Sequence, residues 1–567
     1  MNIKYKIFGY SLALIFFLQA NFAEADVLGG VINFFVNEEF TKNGQSMSNA
    51  TLMYVGNKAF YYVDNDYLAS LDSQQKQELN NSLKELSKEY DDRIYPILTR
   101  ELGTLREPGI DREIELYVLL LPLQEGAGGY INTADGFFKN NIKDGKTNEK
   151  ELIYLNVDLM GRESMKGFFA HEVQHLITFY NKDIEKKISD DVWLNELRSE
   201  YVIDLLGYND VFSGSFLEAR LSVFLESGSD SLTEWKNEPL DYAMVSLFGE
   251  YLFNNYNKEI FRYILQSDKV GIESIDFALK SMGYEESFLD VFRNWQIANY
   301  INDRKNFGAE FGYLHEVLNF KIKPNISYDI SNGYSSNYSY SKKDWQPFLI
   351  EYKGFSDFLN IEFKSILENA FDVSYIVNRN DGSVLINKLP LYRGQGVIRI
   401  EGLGSNVKNI ILMPTAIIKR ANFTNNEEGR EFSISVSTNN ESSSSLAVEA
   451  VFKNVPDGSL VRPAWDYKVY VVKGSFLRHI IDERVLSLYD SSNIRVLSRE
   501  EFNPFKYSSL IRAVGDYKVY ELDERGNKRW LNMTAEDFKK SGRLFLSVFE
   551  ISREELNLYN TGSDITI

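Results

Sequence analysis

An α+β protein of several domains is what this sequence predicts, on three observations. At 567 residues the chain is too long for one hydrophobic core, and length alone suggests roughly three to four domains. Its hydrophobic periodicity changes from mixed to helical near residue 160, and from helical to alternating near residue 320. The last stretch repeats itself: "SLVRPAWDYKVY" (459–470) matches "SLIRAVGDYKVY" (509–520), and "SREEF" (498–502) matches "SREEL" (552–556).

Residues 1–25, "MNIKYKIFGYSLALIFFLQANFAEA", place Lys4 and Lys6 before an apolar run from Ile7 to about Leu18 and end in Ala23-Glu24-Ala25. This is the pattern of a secretory signal peptide, with cleavage expected before Asp26; the apolar run is short for a membrane span. No later segment resembles a transmembrane run, so the mature chain is expected to be secreted or on the cell surface. Loss of two lysines and one glutamate takes the formal charge from −19 to −19 − 2 + 1 = −20.

Residues 26–160 read as an α/β part. Leu79, Leu83, Leu86, Tyr90, Ile94 and Leu98 keep helical spacing, while "REIELYVLLL" (112–121) and "ELIYLNVD" (151–158) read as strands, with the glycine-rich "GAGGYIN" (126–132) between them. Residues 161–318 carry amphipathic helical spacing throughout, for example in "YAMVSLFGEYLFNNY" (242–256). Residues 319–437 alternate in short runs such as "DVSYIVNR" and "SVLINK", joined by an Asn380-Asp381-Gly382 turn, and read as a β-sandwich. A polar linker, 438–445, leads to two tandem β-rich repeats within 446–567, at about 459–508 and 509–567.

A charge of −19 repels phosphate backbones and argues against nucleic acid as a partner. The absence of cysteine excludes disulfides, thiolate metal sites and thiol nucleophiles. Aromatic residues make up 14% of the chain, enough buried ring area to argue against extensive disorder.

The chemistry concentrates in "FFAHEVQHLITFY" (168–180), which holds two of only four histidines. His171 and His175 are one helical turn apart, so both imidazoles project from one side of a helix whose apolar side carries Met165, Phe169 and Val173. Two such nitrogens can bind one Zn²⁺, and Glu172 beside them can act as general base on a metal-bound water. A third ligand is needed. A third histidine six residues on is absent, since Asn181 stands there, but "WLNELRSEYVIDLL" (193–206) places Glu196 and Glu200 on one face of a following helix. Glu196 is the expected third ligand. Glu200 is expected to accept the free N–H of His171, and Asn195 to support the same cluster. His315 and His479 fall outside the pattern and read as packing or surface histidines.

"HEVQH" followed after twenty residues by Glu196 resembles the gluzincin zinc peptidases. More closely, "EYDDRIYPIL" (89–98), "GGYINTADGFF" (128–138), "ELIYLNVD", "FFAHEVQHLITFYNK" and "WLNELRSE" resemble, in order, the hyicolysin-type family of secreted bacterial neutral metalloproteases over roughly residues 50–310. The resemblance implies a gluzincin-type domain over 26–318, with an α/β subdomain and a helical subdomain. It also implies Tyr242 as the group steadying the oxyanion, and the strand at Gly129, Tyr130 and Ile131 as the edge along which a peptide pairs. Leu197 departs from the pattern, where a small residue is usual, and raises the expectation of a narrowed cleft or a shifted helix.

The expected activity is zinc-assisted endopeptidase hydrolysis of a protein or peptide substrate, with one Zn²⁺ as cofactor. Calcium has no support, because no Asp-x-Asp-x-Asp loop is present. The repeats resemble small repeats of bacterial envelope proteins and suggest contact with the cell envelope. The competing reading is an adhesin or envelope-binding protein whose protease-like domain is inactive; an intact Glu172 weighs against it.

Overall fold

In the computed structural model the described residues are 27–566, apart from 228, 392, 418–427, 439–454, 503–504, 524 and 542. The expected signal peptide and nearly all of the expected linker lie outside them. The chain is a mixed α+β protein with several separate sheets.

The first sheet contains β1 (Val31–Phe35), β2 (Met47–Val55), β3 (Ala59–Asp64), β4 (Leu116–Leu121), β5 (Gly129–Ile131) and β6 (Leu152–Asn156), in the order β1-β2-β3-β4-β6-β5. β3, β4 and β6 are parallel, and β5 closes one edge antiparallel to β6. Alternate residues enter two cores, as a period of two requires. Tyr61, Val118, Leu120, Ile153 and Leu155 meet the helices, while Tyr62, Tyr117, Leu119 and Tyr154 pack on the other face. The run "REIELYVLLL" becomes strand only from Leu116, because Gly109 and Glu113 first close a turn with Arg112 at φ 76°.

Between β3 and β4 lie α1 (Asn65–Ser70), α2 (Ser73–Glu89) and α3 (Tyr95–Glu101). The stripe from Leu79 to Leu98 is buried throughout, yet it belongs to two helices joined by a wider turn at Tyr90–Ile94. Pro96 in the first turn of α3 has no N–H to continue the upstream ladder.

The helical part comprises α4 (Ser164–Thr178), α5 (Val192–Leu205), α6 (Phe216–Ser227), α7 (Pro239–Tyr256), α8 (Glu259–Gln266), α9 (Gly271–Ser281), α10 (Phe288–Ile301) and the short α11 (Arg304–Phe307). α4 is buried on nearly all sides, its apolar residues joining the core beneath the first sheet. Fully buried Trp193, Trp295, Phe248 and Phe292 anchor the helices against one another; each such side chain contributes about 1.5–3 kcal/mol by leaving water.

Eight strands follow: β7 (Ile326–Ser331), β8 (Ser335–Lys342), β9 (Ile350–Ser365), β10 (Phe371–Arg379), β11 (Val384–Lys388), β12 (Gln395–Leu403), β13 (Val407–Ala416) and β14 (Arg430–Ser437). β9 runs through two layers. Its start pairs with β7 and β13, and its continuation with β12 and β14. The change falls near Gly354, whose φ of 123° and close approach to the Ile330 carbonyl leave no room for a side chain. Ile350, Tyr352, Ile361, Phe363, Ile410 and Phe432 form one core between the two halves. This unit is docked on the helices through Ile297 and Ile301 of α10, which pack with Leu349, Ile376, Ile411 and Met413. Arg293 also clamps Asp372 at 2.9 and 3.1 Å.

The C-terminal region holds two five-stranded sheets of the same connectivity, one within 460–507 and one within 510–566. Leu460 faces Val471 as Leu510 faces Glu521, and in each copy a parallel strand follows on the other side of the first (Val461 with Arg495, Ile511 with Phe549). The "SREE" pieces open short helices at Arg499–Phe502 and Arg553–Leu558. Val471, Val485, Ile511 and Phe549 share one core, so the two copies are packed together.

Candidate metal and catalytic site

Two helices and one strand edge build the site. α4 supplies His171, Glu172 and His175; α5 supplies Glu196, Ser199 and Glu200; β5 passes over Glu172. Arg198 of α5 forms a buried ion pair with the segment that leads into the helix and also reaches the last residue of α4. Arg198 Nη2 lies 2.8 Å from Asp190, both side chains are essentially inaccessible, and the same nitrogen lies 3.4 Å from Thr178 Oγ1.

His171, His175 and Glu196 converge. The two Nε2 atoms lie 3.1 Å apart, and the Glu196 carboxylate oxygens lie 3.2 Å from His171 Nε2 and 3.4 Å from His175 Nε2. Ligand atoms at about 2.0–2.2 Å from a tetrahedral ion stand about 3.3–3.5 Å from one another, so the donor set fits a divalent metal. Buried Glu196 Oε2 also has no hydrogen-bond donor among the described residues. The three side chains form the one group among the described residues with ligand atoms so gathered. Burial alone would raise the Glu196 carboxyl, but His175 and His171 outweigh it and hold the group well below the usual carboxylate range.

The supporting contacts divide between the two imidazoles. Ser199 Oγ lies 3.2 Å from His175 Nδ1. Glu200 Oε1 lies 3.6 Å from His171 Nδ1, near enough for charge but longer than a hydrogen bond. Arg220 of α6 grips both Glu200 oxygens, at 2.8 and 2.9 Å, and its guanidinium lies 4.7 Å from the centre of the Tyr242 ring. Asn195 Oδ1 is buried without a hydrogen-bond partner among the described residues.

Burial lifts Glu172 to about 8, against the pull of His175 and with a push from Glu196. A carboxyl so placed holds or releases a proton near neutral pH, as a general base must. The Tyr242 hydroxyl donates to Asn237 Oδ1 at 2.8 Å. Burial, then the charges of Glu196, Glu200 and Glu172, hold this phenol well above its ordinary value, so it stays protonated and able to donate.

Among the described residues, β5 pairs with a strand on one side only, β6. Gly129 sits directly on Glu172: a Cβ there would lie 2.9 Å from its Cγ. Ile131 turns toward the helices. Tyr130 turns the other way, stacked on Tyr154 at 4.2 Å and Phe40 at 4.7 Å, so only its backbone faces the site. Alternation along the strand dictates this. Leu197, expected to crowd the cleft, is fully buried and packs instead against Gly249 of α7, where a Cβ would be 3.6 Å from Leu197 Cγ.

Arg220, Ser199, Asn237 and the Arg198–Asp190 pair escaped the sequence reading. Arg220 lies twenty residues beyond Glu200 with no motif around it; only the packing of α6 on α7 brings it in. His315 and His479 do not join the cluster: His315 lies beside Asp204, and His479 lies 5.1 Å from the Tyr470 ring.

No protein-family model matches the chain, and no curated protein matches it. Among solved structures it is similar to a metallopeptidase from Bacteroides thetaiotaomicron, with TM-score 0.25, 10% identity, and coverage of 63% of this chain and 65% of that one. It is also similar to the IMPa metallopeptidase from Pseudomonas aeruginosa (TM-score 0.14, 9% identity, 80% and 55% covered). A third likeness is to the pre-peptidase C-terminal domain of a collagenase from Bacillus anthracis (TM-score 0.15, 9% identity, 20% and 98% covered). Likenesses this low assign the chain neither a fold nor an activity.

Proposed function

We propose that this protein is a zinc-dependent endopeptidase of the gluzincin type, acting outside the cytoplasm on protein or peptide substrates. The observation that carries the reading is the convergence of His171, His175 and Glu196 beneath a free strand edge that lies on Glu172. The three side chains would hold the ion, and zinc, when bound, supplies Lewis acidity and a water of lowered pKa. Glu172 takes the proton of the attacking water and returns it to the leaving amine. Tyr242 and its neighbour Arg220 offer donors to negative charge developing on the scissile carbonyl oxygen. The backbone of Gly129 to Ile131 pairs with an extended substrate, so affinity comes from main-chain hydrogen bonds.

On this reading residues 26–318 form the peptidase domain, 319–437 a β-sandwich and the repeats an attachment to the cell envelope. Secretion follows from the leader at 1–25. No helix among the described residues is long and apolar enough to cross a membrane. Casein digestion with and without a zinc chelator, beside Glu172→Gln, tests the reading. Hydrolysis that stops with chelator and in the variant, with metal content retained in the variant, is expected. Full activity in Glu172→Gln, or no hydrolysis by metal-loaded protein, rejects it.

A further inference from the structure

A cleft of about 360 Å³ lies between the helices and the eight-stranded unit, within the size range of small-ligand sites, which favour seams between domains. Its floor is apolar: Ile301, Phe307, Ile322 and Val384. Its rim carries Lys321, Arg379 and Lys408, and among the described residues no carboxylate lines it, in a chain with 81 acidic and 62 basic residues. Lys321 and Arg379 act on Asp303 and Asp381 through charge, and none of the three cations is joined in an ion pair with a described residue. Asn378 donates to the Tyr300 hydroxyl at 3.1 Å and to Asn409 Oδ1 at 2.7 Å, which fixes the wall. Asn409 in turn donates to Glu351, whose charge is offset by Lys353 at 3.6 Å.

We propose that this cleft binds a small organic anion, a carboxylate on an apolar body such as the last residue of a peptide. The guanidinium of Arg379 presents a fork matched to a carboxylate, and the two lysines add charge. The apolar body rests on Ile301, Phe307 and Ile322. Charge beyond about 8 Å is screened at physiological salt, so the rim governs a compact ligand. A long polyanion would extend over the acidic surface and be repelled. The site is independent of the metal cluster.

Calorimetric titration of the full chain, with chelator present to silence the metal cluster, tests this with N-acetyl-Gly-Phe and its amide. The acid is expected to bind at least about 10-fold more tightly than the amide. Arg379→Gln with Lys408→Gln should lose that preference. Ser383→Trp, on the lip, should block the cleft; all three positions are exposed, so folding should persist, as the thermal midpoint will show. Phenylpropionate replaces the peptide by a free aromatic acid: tighter binding of either one names the source of the carboxylate. Absence of binding, equal binding of acid and amide, acetate binding as tightly as N-acetyl-Gly-Phe, or wild-type binding by both variants overturns the proposal.

Discussion

Gly129 lies against Glu172 so closely that any side chain at 129 would have to displace one of its neighbours: a Cβ there stands 2.9 Å from Glu172 Cγ and 2.8 Å from the Tyr154 carbonyl oxygen. Gly129→Val therefore pushes either Glu172 or the strand edge away. A misplacement of about 1 Å costs on the order of 100-fold in rate. Peptide hydrolysis by Gly129→Val should fall by about that factor while the bound metal, measured by elemental analysis, stays at the wild-type level. Unchanged turnover would show that the edge strand has no part in catalysis.

Arg220 holds the carboxylate that faces His171. Arg220→Met leaves Glu200 buried and uncompensated, and metal affinity should drop by about 10–100-fold, read by competition with a coloured chelator. Arg220→Lys cannot reproduce the two-pronged contact and should recover only part of the loss. Wild-type affinity in the methionine variant would remove Arg220 from the site.

The Arg198–Asp190 pair ties α5 to the segment that leads into it, and this can be tested. Removing one charge of a buried pair costs about 3–5 kcal/mol, so Arg198→Met should lower the urea midpoint of the helical part markedly. The double variant Arg198→Met, Asp190→Asn leaves no orphaned charge and should be more stable than the single one. Additive losses in the two single variants and the double would refute that coupling.

Asp135 predicts a pH dependence. Burial lifts its carboxyl to about 6, although the Tyr154 hydroxyl (2.7 Å) and Asn148 (2.8 Å) favour the charged form. A folded value above the unfolded one means that the folded state binds the proton more tightly. The stabilisation is thus complete below about pH 4 and is lost as pH rises to about 6, a change of about 3 kcal/mol. Asp135→Asn should lack this slope in stability measured from pH 4 to 7. An identical slope in both proteins would contradict it.

How much of this was legible beforehand depends on the range of the interaction. The i,i+4 pair His171 and His175 follows from helical geometry, as does the i,i+4 pair Glu196 and Glu200. Runs rich in apolar residues marked 112–121 and 151–158 as strands. The helical stripe from Leu79 to Leu98 was visible, but its interruption was not recognised, although Pro96 announces it.

Other features had no local signal. Leu197 looked like an obstruction until Gly249, fifty-two positions away, was found to receive it. That Ser199 meets His175 depends on the axial offset between α4 and α5. Periodicity tells a chain what it can form within one element, because backbone hydrogen bonding repeats every few residues. Where helices cross, which strand ends at an edge and which cations share a cleft are set by packing among residues far apart in sequence, and these emerged only from the folded chain.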